Sequence, residues 1–187
     1  MAEFYQGDDH ACKQGVDDTI GPLLDYLDKS GLASSTIVIY ISDNGFFLGD
    51  LGMFDKRLMY VSGLRVPLIA RRPGVIPAGK SCDEFALNID IAPTFLELAD
   101  IPAPADMQRR SLIHLLIGDK PDDWRNSIYY RYYHDPGDHN TRGDWKLIRL
   151  FYQGDNGAHS YQLYNKSSSH KFRLYGVPSS AVQKSDA

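Results

Sequence analysis

Apolar positions fall into distinct patterns along the chain. In residues 16–29, VDDTIGPLLDYLDK, Val16, Ile20, Leu23, Leu24 and Leu27 recur at helical spacing, with Asp17, Asp18, Asp25 and Asp28 on the other side. This predicts an amphipathic helix whose acids form a solvated face. Pro22 removes one backbone donor inside it, which predicts a kink, and Gly31 supplies a stop. Residues 36–42, TIVIYIS, form a continuous β-branched and apolar run. A strand buried on both faces has that pattern, and such strands belong to parallel sheets covered by helices.

VPLIA at 66–70 predicts a second strand, RPGVIPAGK a turn-rich loop, and EFALN at 84–88 another strand. IAPTFLELA at 91–99 predicts a helix with Pro93 in its first turn, and SLIHLLIG at 111–118 a short one. NSIYYRYYH at 126–134, DWKLIRLFYQ at 144–153 and SYQLYNK at 160–166 alternate like strands half open to water. The first two thirds thus predict α/β layers and the last third a small antiparallel sheet. Three regions follow: 1–122, 123–166, and a serine-rich tail, 167–187, expected to be weakly ordered.

Composition narrows the function classes. The chain has 187 residues, 43% of them hydrophobic, enough for a sizeable core. A net charge of −4 leaves no basic stripe, so nucleic acid is not an expected partner. No apolar stretch has the length of a membrane span. The start, MAEFYQGDDH, does not read as a secretory signal, which leaves the localisation open. Cys12 and Cys82 lack metal-site or disulfide spacing and read as ordinary half-buried thiols.

Chemistry concentrates in SDNGFFLGDLGMFDKRLMY, residues 42–60. Asp43 offers a carboxylate and Asn44 an amide oxygen at the C-terminal end of a strand, where α/β sheets bind ligands. Hard oxygen donors suit Ca²⁺ or Mg²⁺. Asp-Asn-Gly is equally ordinary turn chemistry, and spacing alone favours the turn. Lys56, in a loop with Gly45, Gly49 and Gly52, could hold an anionic ester as a point charge. A solvated lysine is the plainer alternative. Phe46, Phe47, Leu48, Met53 and Phe54 either pack the loop down or wall a pocket, and packing is the commoner case.

Together with LRVPLIARRPG, NIDIAPTFLELADIPAPADMQ, DWRNSIYYRYY and QLYN, the stretch VDDTIGPLLDYLDKSGLASSTIVIYISDNGFFLGDLGMFDKRLMY resembles the C-terminal half of a type I sulfatase. These are the formylglycine-dependent members of the alkaline phosphatase superfamily. The segments occur in order from about residue 5 to about residue 165. The resemblance implies part of an alkaline-phosphatase-like layered sheet with helices on its faces, plus a small C-terminal antiparallel sheet. It makes 1–122 the C-terminal part of the core and 123–166 the small subdomain. It implies that Asp43 and Asn44 are calcium ligands and that Lys56 contacts the sulfate. Asp90 is implied as structural support for the 91–99 helix, and Arg65 as a packing or anchoring residue.

The sequence also departs from the family. The C/S-x-P-x-R motif that supplies the formylglycine is absent, and ACKQG around Cys12 does not replace it. The family's remaining calcium acids and the groups around its nucleophile precede the matched region. Leu51 stands where histidine is common, Val61 where glutamate is usual, and Asp100 and Arg109 where glycines make tight turns. Between His139 and Trp145 the sequence is shorter than the family pattern, and YNKSSSHKF lacks its acidic residues. His134 and His139 bracket HDPGDH, which reads as a solvated loop, and His114 as a partly buried helix residue.

The expectation is therefore a sulfatase-family chain, a sulfuric ester hydrolase by descent, that lacks the nucleophile half and has no turnover alone. No residue of this chain is expected to be the catalytic nucleophile. Two side chains cannot satisfy the 6–8 oxygens Ca²⁺ takes, so weak or no binding is expected. Completed by an N-terminal half, the chain would act on a sulfated small molecule or glycan. Two alternatives stay open: a phosphate-ester or phosphonate hydrolase of the same superfamily, and a non-catalytic binding module or gene remnant.

Overall fold

The structure, a computed structural model, describes residues 2–56, 59–132, 137–142, 144–151, 159–165 and 173–176. Two compact units emerge: residues 1–56 with 61–124, and 57–60 with 125–187.

The first unit opens with α1, Ala2–Lys29, which continues through Pro22. The helix starts well before the predicted segment. Residues 2–15 carry no apolar stripe, but Ala2, Glu3, Gln6, Ala11, Lys13 and Gln14 are good helix formers, and extending a nucleated helix costs little. Of the predicted stripe, Leu27 is buried while Val16 and Leu23 stay exposed. Gly31, at φ +73°, ends the helix as expected. Its N–H bonds the Asp28 carbonyl and the Leu32 N–H bonds the Leu27 carbonyl, a Schellman closure. Arg71 reaches both carboxylate oxygens of Asp28, at 2.7 and 2.9 Å, and ties α1 to the sheet.

The apolar run at 36–42 does form a strand, β1, Val38–Ile41. It pairs antiparallel with β4, Leu68–Arg71, matching Tyr40 with Ile69. The expected parallel partners are not present among the described residues. A continuous apolar run specifies burial on two faces but not strand direction. Tyr40 and Ile69 are exposed, so burial is incomplete on the face they share. Between these strands lie β2, Phe47–Leu48, and β3, Phe54–Asp55, paired as a short hairpin. The helical turn α2, Val61–Leu64, follows.

EFALN is not a strand. The Leu87 N–H donates to Asp90 Oδ2 at 2.8 Å and the Phe85 carbonyl accepts from Trp124 Nε1 at 3.1 Å. Side chains thus occupy backbone groups that a ladder would need. A 3₁₀ turn, Asn88–Asp90, leads instead into α3, Ile91–Leu98, and α4 follows at Ile113–Ile117. Leu112, Leu115 and Trp124 form the core here, with Leu68, Ile91 and Leu116 packed against them. Each such side chain contributes roughly 1.5–3 kcal/mol when fully buried.

The second unit is a five-stranded antiparallel meander: β5 (Ser127–Tyr132), β6 (Gly137–Arg142), β7 (Trp145–Phe151), β8 (His159–Asn165) and β9 (Arg173–Gly176). Strands β5, β7 and β8 form where predicted, and β7 alternates as expected from Trp145 to Ile148. Thr141, Lys146 and Ile148 share the buried face, while Tyr129, Trp145, Leu147 and Leu163 are exposed on the other. Tyr60 Oη donates to Gln162 Oε1 at 2.6 Å. Of the stretch expected to be weakly ordered, residues 173–176 form β9 and the rest lies outside the described residues.

Candidate functional site

The turn after β1 holds Asp43 and Asn44. Asp43 Oδ1 accepts the Asn44 N–H at 2.9 Å, an Asx-type bond local to the turn. Ser42 Oγ donates to the Asn44 carbonyl at 2.9 Å, and Asn44 Nδ2 donates to the Gly45 carbonyl at 2.8 Å. That bond points the amide nitrogen at the backbone and leaves Asn44 Oδ1 without a bond among the described residues. Asp43 is exposed and its Oδ2 is likewise unengaged there. Each ligand candidate therefore retains one hard oxygen, which suits a divalent cation. The two make up a minority of the 6–8 oxygens that Ca²⁺ takes. Among the described residues no group of three or more His, Cys, Asp or Glu is placed to hold a metal.

Gly45 is required by close approach. Its N–H donates to the Gly63 carbonyl at 3.0 Å, and a Cβ on it would collide with the carbonyl oxygen of Ser62. The backbone of α2 thus packs directly against the turn.

Lys56 follows β3. The hairpin matches Phe47 with Asp55, so Lys56 leaves it at the same open end as Phe46, which lies two residues from Asn44. The fold thereby returns Lys56 to the end of the hairpin where Asp43 and Asn44 lie. Its side chain is exposed and makes no ion pair among the described residues. Asp55, just before it, has φ +147°, a region that favours glycine, and its Oδ1 accepts the Lys56 N–H at 2.6 Å. Backbone held this way costs on the order of 1–3 kcal/mol. The loop aromatics divide: Phe47 is buried, whereas Phe46 and Phe54 are exposed. A recess of about 700 Å³ runs elsewhere, beside Gly21, Pro22, Asp25, Tyr26, Lys29 and Ser30. It is the flank of one helix, where Lys29 and Asp25 pair with each other at 3.1 Å.

Asp90 is wholly buried. Its carboxylate accepts the Leu87 N–H, and its carbonyl accepts Thr94 Oγ1 at 2.7 Å. Thr94 Oγ1 in turn accepts the Leu112 N–H at 2.8 Å. The expected structural role holds, although the carboxylate secures the 3₁₀ turn rather than the first turn of α3. Arg65 is exposed, and among the described residues only its backbone N–H is engaged, closing α2. His114, expected to be partly buried, is exposed, its Nδ1 3.3 Å from Asp119 Oδ2, and Cys12 and Cys82 are exposed rather than half-buried. The HDPGDH side chains lie outside the described residues. Asn88 escaped the sequence reading. Its Nδ2 donates to the carbonyls of Ser42 and Asp43, at 2.9 and 3.1 Å. An asparagine at the head of the NIDIAPT segment was the one available sign.

The comparisons with known proteins agree with this architecture. The family described as N-sulphoglucosamine sulphohydrolase, C-terminal, matches residues 49–177. An N-acetylglucosamine-6-O-sulfatase of Bacteroides thetaiotaomicron is 41% identical over 170 residues, 86% of this chain and 30% of that protein. The human N-acetylglucosamine-6-sulfatase is 33% identical over 119 residues, 63% of this chain and 21% of that protein. A solved structure in complex with its substrate, D-glucosamine-2-N,6-O-disulfate, is 40% identical with a TM-score of 0.75, over 82% of this chain and 32% of that one. The Silicibacter pomeroyi phosphonate monoester hydrolase, 23% identical with a TM-score of 0.73, shares the fold over 86% of this chain and 34% of that one. The fold and these matches define a piece of an alkaline-phosphatase-like hydrolase. More particularly, the chain belongs to the sulfatases, in the C-terminal family of N-sulphoglucosamine sulphohydrolase, and spans about a third or less of these proteins.

Proposed function

We propose that this chain forms one side of a sulfatase active site acting on the sulfate ester of an amino sugar. The observation that carries the reading is the paired oxygens of Asp43 and Asn44 and the exposed Lys56 at one end of the hairpin, in a chain 41% identical to an N-acetylglucosamine-6-O-sulfatase. Asp43 and Asn44 would hold Ca²⁺ together with ligands from outside this chain, and the ion when bound would neutralise sulfate oxygens. Lys56 places its ammonium against the sulfate and offsets the charge that grows there during ester cleavage. The domain division at about residue 122 belongs to the same proposal, with the α/β part carrying these groups.

The C/S-x-P-x-R motif is absent from the 187 residues, so the chain by itself is proposed to lack turnover. Incubated with Ca²⁺ and an aryl sulfate, it should give no more product than its Lys56→Ala variant; turnover above that control overturns the incomplete-site reading. Joined to the unmatched portion of the Bacteroides relative, it should hydrolyse 6-O-sulfated glucosamine. There Lys56→Ala should lower kcat by about 10²-fold or more, the scale of one lost charge-stabilising group. Equal rates for both fusions would refute the role of Lys56.

The superfamily alternative, a phosphonate hydrolase, has a solved neighbour that supports the fold alone at 23% identity. The sulfate reading draws on relatives at 40% and 41%.

A further inference from the structure

We infer that Asn88 is a positioning residue for the Asp43–Asn44 pair, a role that rests on the proposed calcium reading of that turn. The carboxamide of Asn88 has two N–H donors. They are directed at two consecutive carbonyls, Ser42 at 2.9 Å and Asp43 at 3.1 Å. Those carbonyls belong to the last residue before the ligand pair and to the first ligand itself. Bonding both fixes the peptide planes on either side of the Asp43 Cα, and so the direction in which its carboxylate leaves the chain.

The support behind Asn88 reaches into the core. Asn88 opens the 3₁₀ turn whose third residue is the wholly buried Asp90. From Asp90 the bonds run through Thr94 Oγ1 to the backbone of Leu112 in the core. Further along the turn, Gly45 rests on Ser62 and Gly63. The ligand-bearing turn is therefore held by two segments, and among the described residues Asn88 supplies the side-chain contact from outside the turn. Asn88 itself is exposed, so its bonds hold the turn without filling any core volume.

The test uses the 187-residue chain with Asn88→Ala and the isosteric Asn88→Asp. Amide exchange by NMR is read at Asn44 and Gly45, with Leu112 and Leu116 as core reporters. Both variants should raise exchange at Asn44 and Gly45 by roughly tenfold, the scale of one or two net hydrogen bonds, and leave the core reporters unchanged. Unchanged exchange at the turn, or an equal rise throughout the unit, overturns the assignment. A Ca²⁺ titration read at the Asp43 and Asn44 signals, with the chain joined to the unmatched portion of the Bacteroides relative so that the outside ligands are present, gives the second arm. Shifts seen in the unsubstituted fusion should need at least about threefold more Ca²⁺ in Asn88→Asp. An unmoved midpoint overturns the positioning role. If the unsubstituted fusion shows no Ca²⁺ shift at all, the calcium reading of the turn fails, and with it the ligand-positioning role, while the exchange arm separately decides whether Asn88 secures the backbone.

Discussion

Gly45 lies flush against the carbonyl oxygen of Ser62, leaving no space for a side chain between the site turn and α2. Backbone atoms on both sides make the contact, so no rotamer change can relieve it. Gly45→Ala should destabilise the chain by about 3 kcal/mol, the upper end for overpacking, read as a lower midpoint in urea with an unchanged slope. A loss under about 0.5 kcal/mol would show that α2 moves freely away from the turn.

Three helices close in the same way with different residues. The α1 and α4 closures use Gly31 and Gly118, at φ +73° and +86°. The α3 closure bonds Asp100 N–H to the Glu97 carbonyl and Ile101 N–H to the Leu96 carbonyl, but uses Asp100 at φ +55°. A side chain there carries the left-handed penalty, about 1–2 kcal/mol. Asp100→Gly should therefore raise stability by about 1 kcal/mol, and Gly118→Ala should lower it by a similar amount. Thermal melts of the two variants should move in opposite directions.

Thr94 carries a hydroxyl that serves two buried backbone groups, accepting from Leu112 and donating to Asp90. Thr94→Val keeps the shape and removes both bonds. A buried N–H left without its partner costs about 1–3 kcal/mol, and chemical denaturation should report a loss in that range. Thr94→Ser, which keeps the hydroxyl, should recover most of it.

Burial in β5, and then the neighbouring Tyr132, push the Tyr130 phenol above its ordinary value of 10.0. The folded chain therefore holds that proton more tightly than the unfolded chain. Stability from this group is complete below pH 10 and falls as pH rises through the higher folded value. Melting temperature measured from pH 8 to 11 should decline above pH 10, and Tyr130→Phe should flatten that decline. Absorbance of tyrosinate gives an independent reading of the same titration.

Local pattern revealed the positions of α3, β5, β7 and β8, most clearly where burial has one period, as in β7. It did not reveal β6, because GDHNTR has no apolar alternation and owes its strand form to ladders on both sides. It gave the wrong direction for the β1 pairing and misassigned EFALN, whose backbone groups are taken by Asp90 and Trp124. Around the candidate site, residue type pointed to Asp43, Asn44 and Lys56, since oxygen donors and a cation are readable one residue at a time. The supports were hidden. Asn88 acts on carbonyls more than forty positions away, and the strain at Asp55 is a backbone angle that no side-chain pattern encodes.

The pairing of Phe47 with Asp55 also restricts how this loop could vary between related chains. Successive strand residues point to opposite faces. Deleting one residue between Gly49 and Met53 would exchange the orientations of Asp55 and Lys56, whereas removing two would restore them. Viable length variants of this hairpin should therefore differ by even numbers, a parity rule for whichever natural or engineered loops keep an ammonium beside the strand end.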